Sequence, residues 1–435
     1  MHNISSASLT KNSKIKFKEY ELSNGLKVIL SKDSSVPSVA VNLCYHVGSK
    51  DEDPDKRGYA HLFEHLMFGG SKNIQPGDYD RLAQSHGCEN NAYTTEDKTC
   101  YYLLAPSHQL EFALWLESDR MLGFGIPEES LLKQKEVVIE EKKQNFDNRP
   151  YGTVSIEMAS RLFKKSGYRW DTIGDIKDIE KASLADIKAF YEQHYVPNNA
   201  VLTIVGDIEF DSTFKLTEKY FGSIPQSLNG QRKKFQEVVL TAEVTENILD
   251  NIQLPGIFIA YRVPEENSRE FYEFDILSDI LSTGESSRFY NEIVYKKQLA
   301  AEIGCWVDAK EFAGVFYIYA ILMPGVKIQT VQKEIDRIID EVKAGKLTEK
   351  ELEKIKNKVE TRNTYRLQTN LSKADILSHY KTFYNNPELI NTNIENYHYV
   401  TLNGIQESAI KFLNNSNRVV LNYLPAEGKS ANTSK

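Results

Sequence analysis

The sequence lacks any run of about 18 apolar residues, so no membrane-spanning segment is expected. It also lacks a block rich in lysine and arginine, and the formal net charge of its 435 residues is -8. Nucleic acid is accordingly not an expected partner. The polar opening, MHNISSASLTKNSK, has no apolar core of the kind found in a secretory signal. We expect a cytoplasmic protein, with a periplasmic location as the alternative if a signal has been removed.

Cysteine is scarce as well, and the chain has four: Cys44, Cys88, Cys100 and Cys305. None belongs to a CxxC pair, which argues against a zinc site built from thiolates. Their even number permits disulfides without indicating them. Buried or half-buried thiols are the expected state.

The composition is that of a globular protein, with 41% hydrophobic and 26% charged residues. The length suggests more than one domain. The first half shows strand patterns on both sides of the turn-forming pair Asn24-Gly25. Further strand patterns lie at 39–47 and 90–105, and helical spacing is present at 107–122 and 127–146.

The second half repeats this order weakly. A shift of 215 places LFEHLMFGGS (62–71) on LSDILSTGES (277–286). Shifts of 218 or 219 place SLADIKAF on TLNGIQES and NNAVLTIVG on SNRVVLNYL. These matches predict a duplicated α+β fold, with two homologous domains in tandem, each a mostly antiparallel sheet packed with helices. The expected limits are 13–225 and 246–427 for the domains, 226–245 for the linker and 428–435 for a polar tail.

The segment HLFEH, residues 61–65, is the candidate site. On a helix His61 and His65 share one face, because residues four apart are neighbours. Two imidazole nitrogens can then reach one zinc ion at about 2.0–2.1 Å. Glu64 lies near the same face, where its carboxylate can hold a water on the metal and take its proton.

The repeat gives an internal control for this interpretation. The second copy has Ile276 and Ile280 at the histidine positions and Asp279 at the position of Glu64. Apolar residues therefore suffice to build the corresponding helix. The fold alone does not explain the histidines.

A catalytic zinc usually has three protein ligands and an open position, and HLFEH supplies two. The acidic helix predicted at 127–146 offers Glu136, Glu140 and Glu141 as candidates for the third. Glu140 and Glu141 point in directions about 100° apart. The pattern alone does not choose among the three glutamates.

These residues belong to a set of motifs that resembles the pitrilysin-like (M16) metallopeptidases, a family that includes insulin-degrading enzyme and the mitochondrial processing peptidase. HxxEH reverses the order of the HExxH zinc motif. The resemblance covers nearly the whole chain, through SNGLKVIL, GYAHLFEHLMFGGS, NNAYTTEDKTCYY, KEVVIEEKKQNFDNRPYG, YVPNNAVLTIVGDI and SSRFYNEIVYKKQLA.

The resemblance implies a zinc-dependent endopeptidase that hydrolyses peptides or unfolded segments and holds one Zn2+ per chain. His61 and His65 match the family's zinc ligands, and Glu64 matches its catalytic base. The final glutamate of the family's V-V-x-x-E-[RK] pattern falls on Glu141, which implies the third ligand. The domain at 13–225 is then the catalytic one.

Asn91, Ala92 and Tyr93 match the family's N-A-[FY] strand, whose edge takes up substrate as an added β-strand. An unpaired strand edge offers main-chain hydrogen bonds with little regard to side chains. These three residues are therefore the expected substrate-binding residues.

One part of the family's active site has no match. Peptidases of the family take an arginine and a tyrosine, seven residues apart, from a second homologous unit, where they bind substrate and stabilise the oxyanion. Val294 and Ala301 occupy those positions here. The resemblance implies the metal-bearing subunit of a heterodimer, whose homologous partner supplies both residues and encloses a chamber with it. A homodimer is the alternative, with Arg288 or Tyr290 as substitutes.

Two other functions stay open at this point. Relatives of this fold serve as non-catalytic core subunits of a respiratory complex, but such subunits usually lose part of the ligand set that this chain keeps. A passive peptide-binding module would need the edge strand but not Glu64.

Overall fold

The computed structural model describes residues 14–227 and 235–426, so residues 228–234 of the expected linker and the whole of the expected tail lie outside the described residues. The strands are β1 (Lys18–Glu21), β2 (Lys27–Lys32), β3 (Ser38–Tyr45), β4 (Glu89–Thr94), β5 (Thr99–Pro106), β6 (Ala200–Gly206), β7 (Val244–Asp250), β8 (Gly256–Val263), β9 (Ala300–Ala309), β10 (Gly314–Leu322) and β11 (Arg418–Pro425).

The helices of the first half are α1 (Tyr59–Leu66), α2 (Asp78–Ser85), α3 (Leu110–Leu122), α4 (Glu128–Lys142), α5 (Val154–Leu162), α6 (Ile176–Lys181), α7 (Leu184–His194) and α8 (Phe210–Phe221). Those of the second half are α9 (Arg269–Ser282), α10 (Ile328–Lys343), α11 (Glu349–Arg366), α12 (Asn370–Tyr384), α13 (Leu389–His398) and α14 (Leu402–Phe412). Within the described ranges, no helix combines the length and the apolar character needed to cross a membrane.

The strands form two sheets with matching order. The first sheet runs β1-β2-β6-β3-β5-β4 and the second runs β7-β11-β8-β10-β9. Each contains one parallel pair, β2 with β6 and β7 with β11, followed by antiparallel pairs. The corresponding strands β3 and β8 begin 218 residues apart, at Ser38 and Gly256. The predicted duplicated α+β fold is confirmed.

Each sheet is covered on both faces, and one cover comes from the other half of the chain. In β3, Val41 and Leu43 face the core formed with α1, α3 and α7. Ala40 faces the opposite way, against Ala374 and Leu377 of α12. This two-sided burial explains the almost continuous apolar sequence of β3.

The second sheet is covered in the same way, by a helix of the first half. Helix α5 of the first half packs on the second sheet, where Met158 and Leu162 meet Val315 and Leu421. The two halves therefore interlock, because each provides a helix that buries the other's sheet. The residue limits expected for the two domains stay a prediction.

The cysteines differ from the expectation of four thiols. Cys44 of β3 and Cys100 of β5 are direct partners in the antiparallel register, and they form a disulfide. Cys88 and Cys305 are free and buried. The pairing depends on strand register, which brings the two Cα atoms within 4.1 Å across a sequence separation of 56 residues.

Candidate metal centre

The start of α1 is fixed by contacts that determine where the following turn points. Its N-cap, Gly58, has a φ of 93°, a left-handed conformation that favours glycine. The buried carboxylate of Glu52 accepts hydrogen bonds from the backbone N–H groups of Gly58 at 3.0 Å and Ala60 at 2.8 Å. First-turn N–H groups have no partner within the helix. Glu52 therefore anchors the turn that carries His61.

Three side chains meet where α1 packs against α4. The Nε2 atoms of His61 and His65 lie 3.3 Å apart. Glu141 Oε2 lies 3.8 Å from His61 Nε2 and 3.5 Å from His65 Nε2. Tetrahedral ligands at zinc distances of 2.0–2.1 Å are separated by roughly 3.3–3.4 Å, so these three atoms fit a single ion. Within the part of the chain that the structure describes, no other group of three His, Cys, Asp or Glu side chains converges in this way.

The structure distinguishes the three glutamates of α4. Glu141 is half-buried and faces the histidines, whereas Glu136 and Glu140 are exposed. Glu140 accepts a hydrogen bond from Gln144 at 2.9 Å, one turn further along the helix. Helical geometry alone left this choice open, because it does not specify which side of α4 meets α1.

Burial prepares both histidines for metal binding. It lowers the pKa of His61 to about 4, with a further contribution from the neighbouring His65. Burial also lowers the pKa of His65, against the opposing charge of Glu141 and a hydrogen bond to the Gln134 side chain, both of which favour the protonated ring. Both rings are therefore neutral near pH 7, which is the protonation state that ligates a metal.

Glu64 lies beside this cluster and faces the edge strand β4. Burial raises the pKa of Glu64 to about 7, the hydrogen bond from Thr94 opposes that shift, and the charge of Glu141 adds to it. The Thr94 hydroxyl donates to Oε2 of Glu64. A carboxyl group with a pKa near neutrality can accept and return a proton at neutral pH.

The predicted substrate-binding residues all lie on β4, an edge strand that pairs only with β5 among the residues that the structure describes. Asn91 is exposed, and its side-chain oxygen accepts the N–H of Ala92 at 2.8 Å. The hydroxyl of Tyr93 donates to Asp375 of α12, which also pairs with Lys98 at 3.2 Å. The edge strand is thus held in place by a helix of the second half.

The positions expected to lack the family's arginine and tyrosine lie in the second half. Val294 is part of a π-helical turn, Tyr290–Lys296, and Ala301 is exposed on β9. Arg288 donates to Glu351 at 2.7 and 2.9 Å and to the carbonyl oxygen of Lys346 at 2.6 Å. Its guanidinium is therefore bound within its own half.

Sequence reasoning missed Thr94, Glu52 and Asp375. Thr94 and Glu64 are 30 residues apart, and Tyr93 and Asp375 are 282 apart. Each contact depends on how separate elements pack. The sequence NNAYTT marks Thr94 as a strand residue but does not show which helix it faces.

Comparison with known proteins bears on the family of the chain. One family model, described as insulinase (peptidase family M16), matches residues 27–171, and a second, described as the peptidase M16 inactive domain, matches residues 181–359. The chain is 31% identical over 350 residues to the zinc protease PqqE of Helicobacter pylori, which covers 78% of each chain. It is 24% identical over 345 residues to the uncharacterized zinc protease YmxG of Bacillus subtilis, covering 79% of this chain and 82% of that one.

Solved structures show the same fold. A protease from Helicobacter pylori matches with a TM-score of 0.90 and 27% identity, over 94% of this chain and 100% of that chain. The periplasmic protease PqqL from Escherichia coli matches with a TM-score of 0.78 and 18% identity, over 95% of this chain and 48% of that chain. The chain belongs to the M16 family, the pitrilysin-like zinc metallopeptidases.

Proposed function

We propose that this chain is a zinc-dependent endopeptidase in which His61, His65 and Glu141 hold the metal and Glu64 is the general base. The observation that carries the proposal is the convergence of three side-chain atoms, none more than 3.8 Å from another, beside the half-buried carboxyl group of Glu64. Zinc bound there supplies a Lewis acid that polarises the scissile carbonyl and lowers the pKa of water.

Glu64 moves the proton in both halves of the reaction. Its carboxylate takes a proton from the attacking water as the water oxygen bonds to the carbonyl carbon. It then gives that proton to the leaving nitrogen as the C–N bond breaks. The hydroxyl of water ends on the acyl product and its proton on the amine, so the base is regenerated.

The peptide is held as an added strand beside β4, through the main chain of Asn91, Ala92 and Tyr93. The free edge of β4 supports this role, since it leaves main-chain groups available for pairing. The hydrogen bond from Ala92 N–H to the Asn91 side chain is a local one that an incoming carbonyl can replace.

The site is completed by a homologous partner chain that supplies an arginine and a tyrosine, with a homodimer as the alternative. Arg288 is poorly suited to substitute, because Glu351 and the carbonyl of Lys346 already bind it. The chain covers 48% of PqqL, and this length relation supports an assembly of two such units.

A non-catalytic subunit of the same fold is the competing function. The family model described as the inactive domain covers 181–359 and therefore lies outside the segment that carries the proposed ligands. This division favours catalysis, since the first half keeps the complete ligand set.

The compartment is open to a direct test. Disulfides persist in oxidising compartments, so the Cys44–Cys100 bond favours the periplasmic alternative over the expected cytoplasm. Thiol titration of unreduced, denatured protein is expected to give two thiols per chain. Four thiols would contradict the disulfide.

The first experiment is peptidase activity on a mixed peptide pool, with zinc measured on the same sample. The chain is assayed alone and with a homologue from the same genome that lacks HxxEH. One zinc per chain, with turnover only in the mixture, is the expected result. Full turnover by the chain alone would contradict the split site, and absence of zinc would contradict the peptidase itself.

A further inference from the structure

Strand β4 faces two different helices with its two sides. Successive side chains of a strand point to opposite faces. Tyr93 bonds Asp375 of α12, on one face of the sheet. Ala92 packs against the core on the other face, which contains α1. Thr94, two residues after Ala92, therefore also faces α1, and its hydroxyl reaches Glu64.

The hydrogen of the Thr94 hydroxyl is directed to Glu64. A hydroxyl has one hydrogen to donate. Thr99, the register partner of Thr94 on β5, donates its hydrogen to the carbonyl oxygen of Val47 at 2.9 Å. The oxygens of Thr94 and Thr99 are 3.5 Å apart, a marginal contact. A carboxylate is the stronger acceptor, so Oε2 of Glu64 takes the Thr94 hydrogen bond.

We infer that Thr94 is a positioning residue for the general base: its hydroxyl holds Oε2 of Glu64 and leaves Oε1 to exchange the proton. Within the described residues, Oε1 has no hydrogen-bond partner. Thr94 follows Tyr93 on β4 but is neither one of the proposed ligands nor one of the three proposed peptide-binding residues. The inference rests on the proposed function, because it assigns the orientation of the base in that reaction.

The physical consequence is a difference between turnover and binding. A carboxylate released from Thr94 samples other rotations about its last bond, and misplacement of a reacting group lowers the rate of the chemical step. The peptide edge of β4 and the three proposed ligands stay where they are. Loss of the hydroxyl should therefore lower kcat and leave KM and zinc binding unchanged.

The test is Thr94→Val, which keeps the shape of the side chain and removes the hydroxyl. We expect kcat to fall roughly ten- to hundredfold, as for the loss of a hydrogen bond to a charged group, with KM within about twofold of wild type. Zinc content and the thermal unfolding temperature should match wild type. Thr94→Ser restores the hydroxyl and should recover most of the lost kcat.

Thr203→Val is the matched control. Thr203 is a buried threonine of β6 whose hydroxyl accepts a hydrogen bond from Ser378 of α12 at 2.8 Å, on the face away from α1. The Thr203→Val variant loses an equivalent hydroxyl from the same sheet, and the kcat of this variant should stay at the wild-type value.

Several outcomes would overturn the positioning role. These are a wild-type kcat in Thr94→Val, a rise in KM at constant kcat, loss of zinc, or no recovery in Thr94→Ser. Failure of the proposed function is visible separately. In that case the wild-type assembly shows no turnover, or Glu64→Gln retains it, before any change at Thr94 is considered.

Discussion

Helices α1 and α4 of the first half correspond to α9 and α11 of the second half, and the two pairs make opposite use of the same position. The sequence shift of 215 sets Ile276 and Ile280 of α9, which are 0% and 2% exposed, against the two histidines of α1. The contacts instead set Asp275 and Asp279 against them, because these acids meet Arg362 as the histidines meet Glu141. Glu141 lies fourteen residues after Pro127, the N-cap of α4. Arg362 lies fourteen residues after Thr348, the N-cap of α11.

The second pair of helices is joined by ion pairs between its own side chains. Arg362 pairs with Asp275 at 2.8 Å and with Asp279 at 3.3 Å, both on α9. In the first pair, by contrast, a glutamate faces two histidines that burial keeps neutral near pH 7. Apolar packing and internal ion pairs therefore suffice to join two such helices. The first pair has instead the three residues proposed to hold zinc.

The largest effect is expected from a variant of the first helix pair that removes the proposed base and keeps the proposed ligands. Glu64→Gln retains the size of the side chain and an oxygen that can accept from Thr94. We expect zinc content to be unchanged and kcat to fall roughly 10²- to 10⁴-fold, the usual contribution of a general base. Retained turnover in a zinc-loaded sample would show that Glu64 does not move the proton.

The second prediction concerns the two adjacent acids of α4. Glu141→Ala should weaken zinc binding by more than about a hundredfold, since loss of a ligand costs more than loss of its supporting contacts. Glu140→Ala, the matched control, should change it little because Glu140 is exposed. Competition with a chelator of known affinity measures both. The opposite ranking would mean that the wrong glutamate has been assigned.

The third prediction tests the ion pairs of the second half. Arg362→Met should lower the unfolding temperature by about 2–4 °C, because Asp275 and Asp279 lose their cationic partner and keep the hydroxyls of Tyr397 and Thr283. Burial raises the pKa of Asp275 and Arg362 opposes that shift, so the variant's pKa lies further above its unfolded value. A carboxyl group whose pKa is raised by folding destabilises the folded state as pH rises above the unfolded pKa. The loss of stability in the variant, relative to wild type, should therefore be larger at pH 7 than at pH 4. An equal deficit at both pH values would contradict this assignment.

The contacts found here differ in how far the sequence could reveal them. The shared helix face of His61 and His65 could be predicted from the sequence, because four-residue spacing on a helix is a local property. The offset of the repeat correctly indicated two related units. Glu141 required the family pattern, since the angle at which α4 meets α1 is not local. The Cys44–Cys100 bond, the exchange of α5 and α12, and the Thr94 contact all depend on register or packing between distant segments.

The smallest change in stability is expected when the first half is changed to resemble the second. His61→Ile combined with His65→Ile copies Ile276 and Ile280 into α1. The variant should bind no zinc at this site, yet it should fold, since the buried face of α1 is formed by Leu62, Phe63 and Leu66 rather than by the histidines. Its helix content by circular dichroism should equal that of the wild type, and its unfolding temperature should equal that of the chelated wild type within about 2 °C. An unfolded variant would mean that the histidines, rather than apolar packing and the Glu52 cap, hold α1 in place.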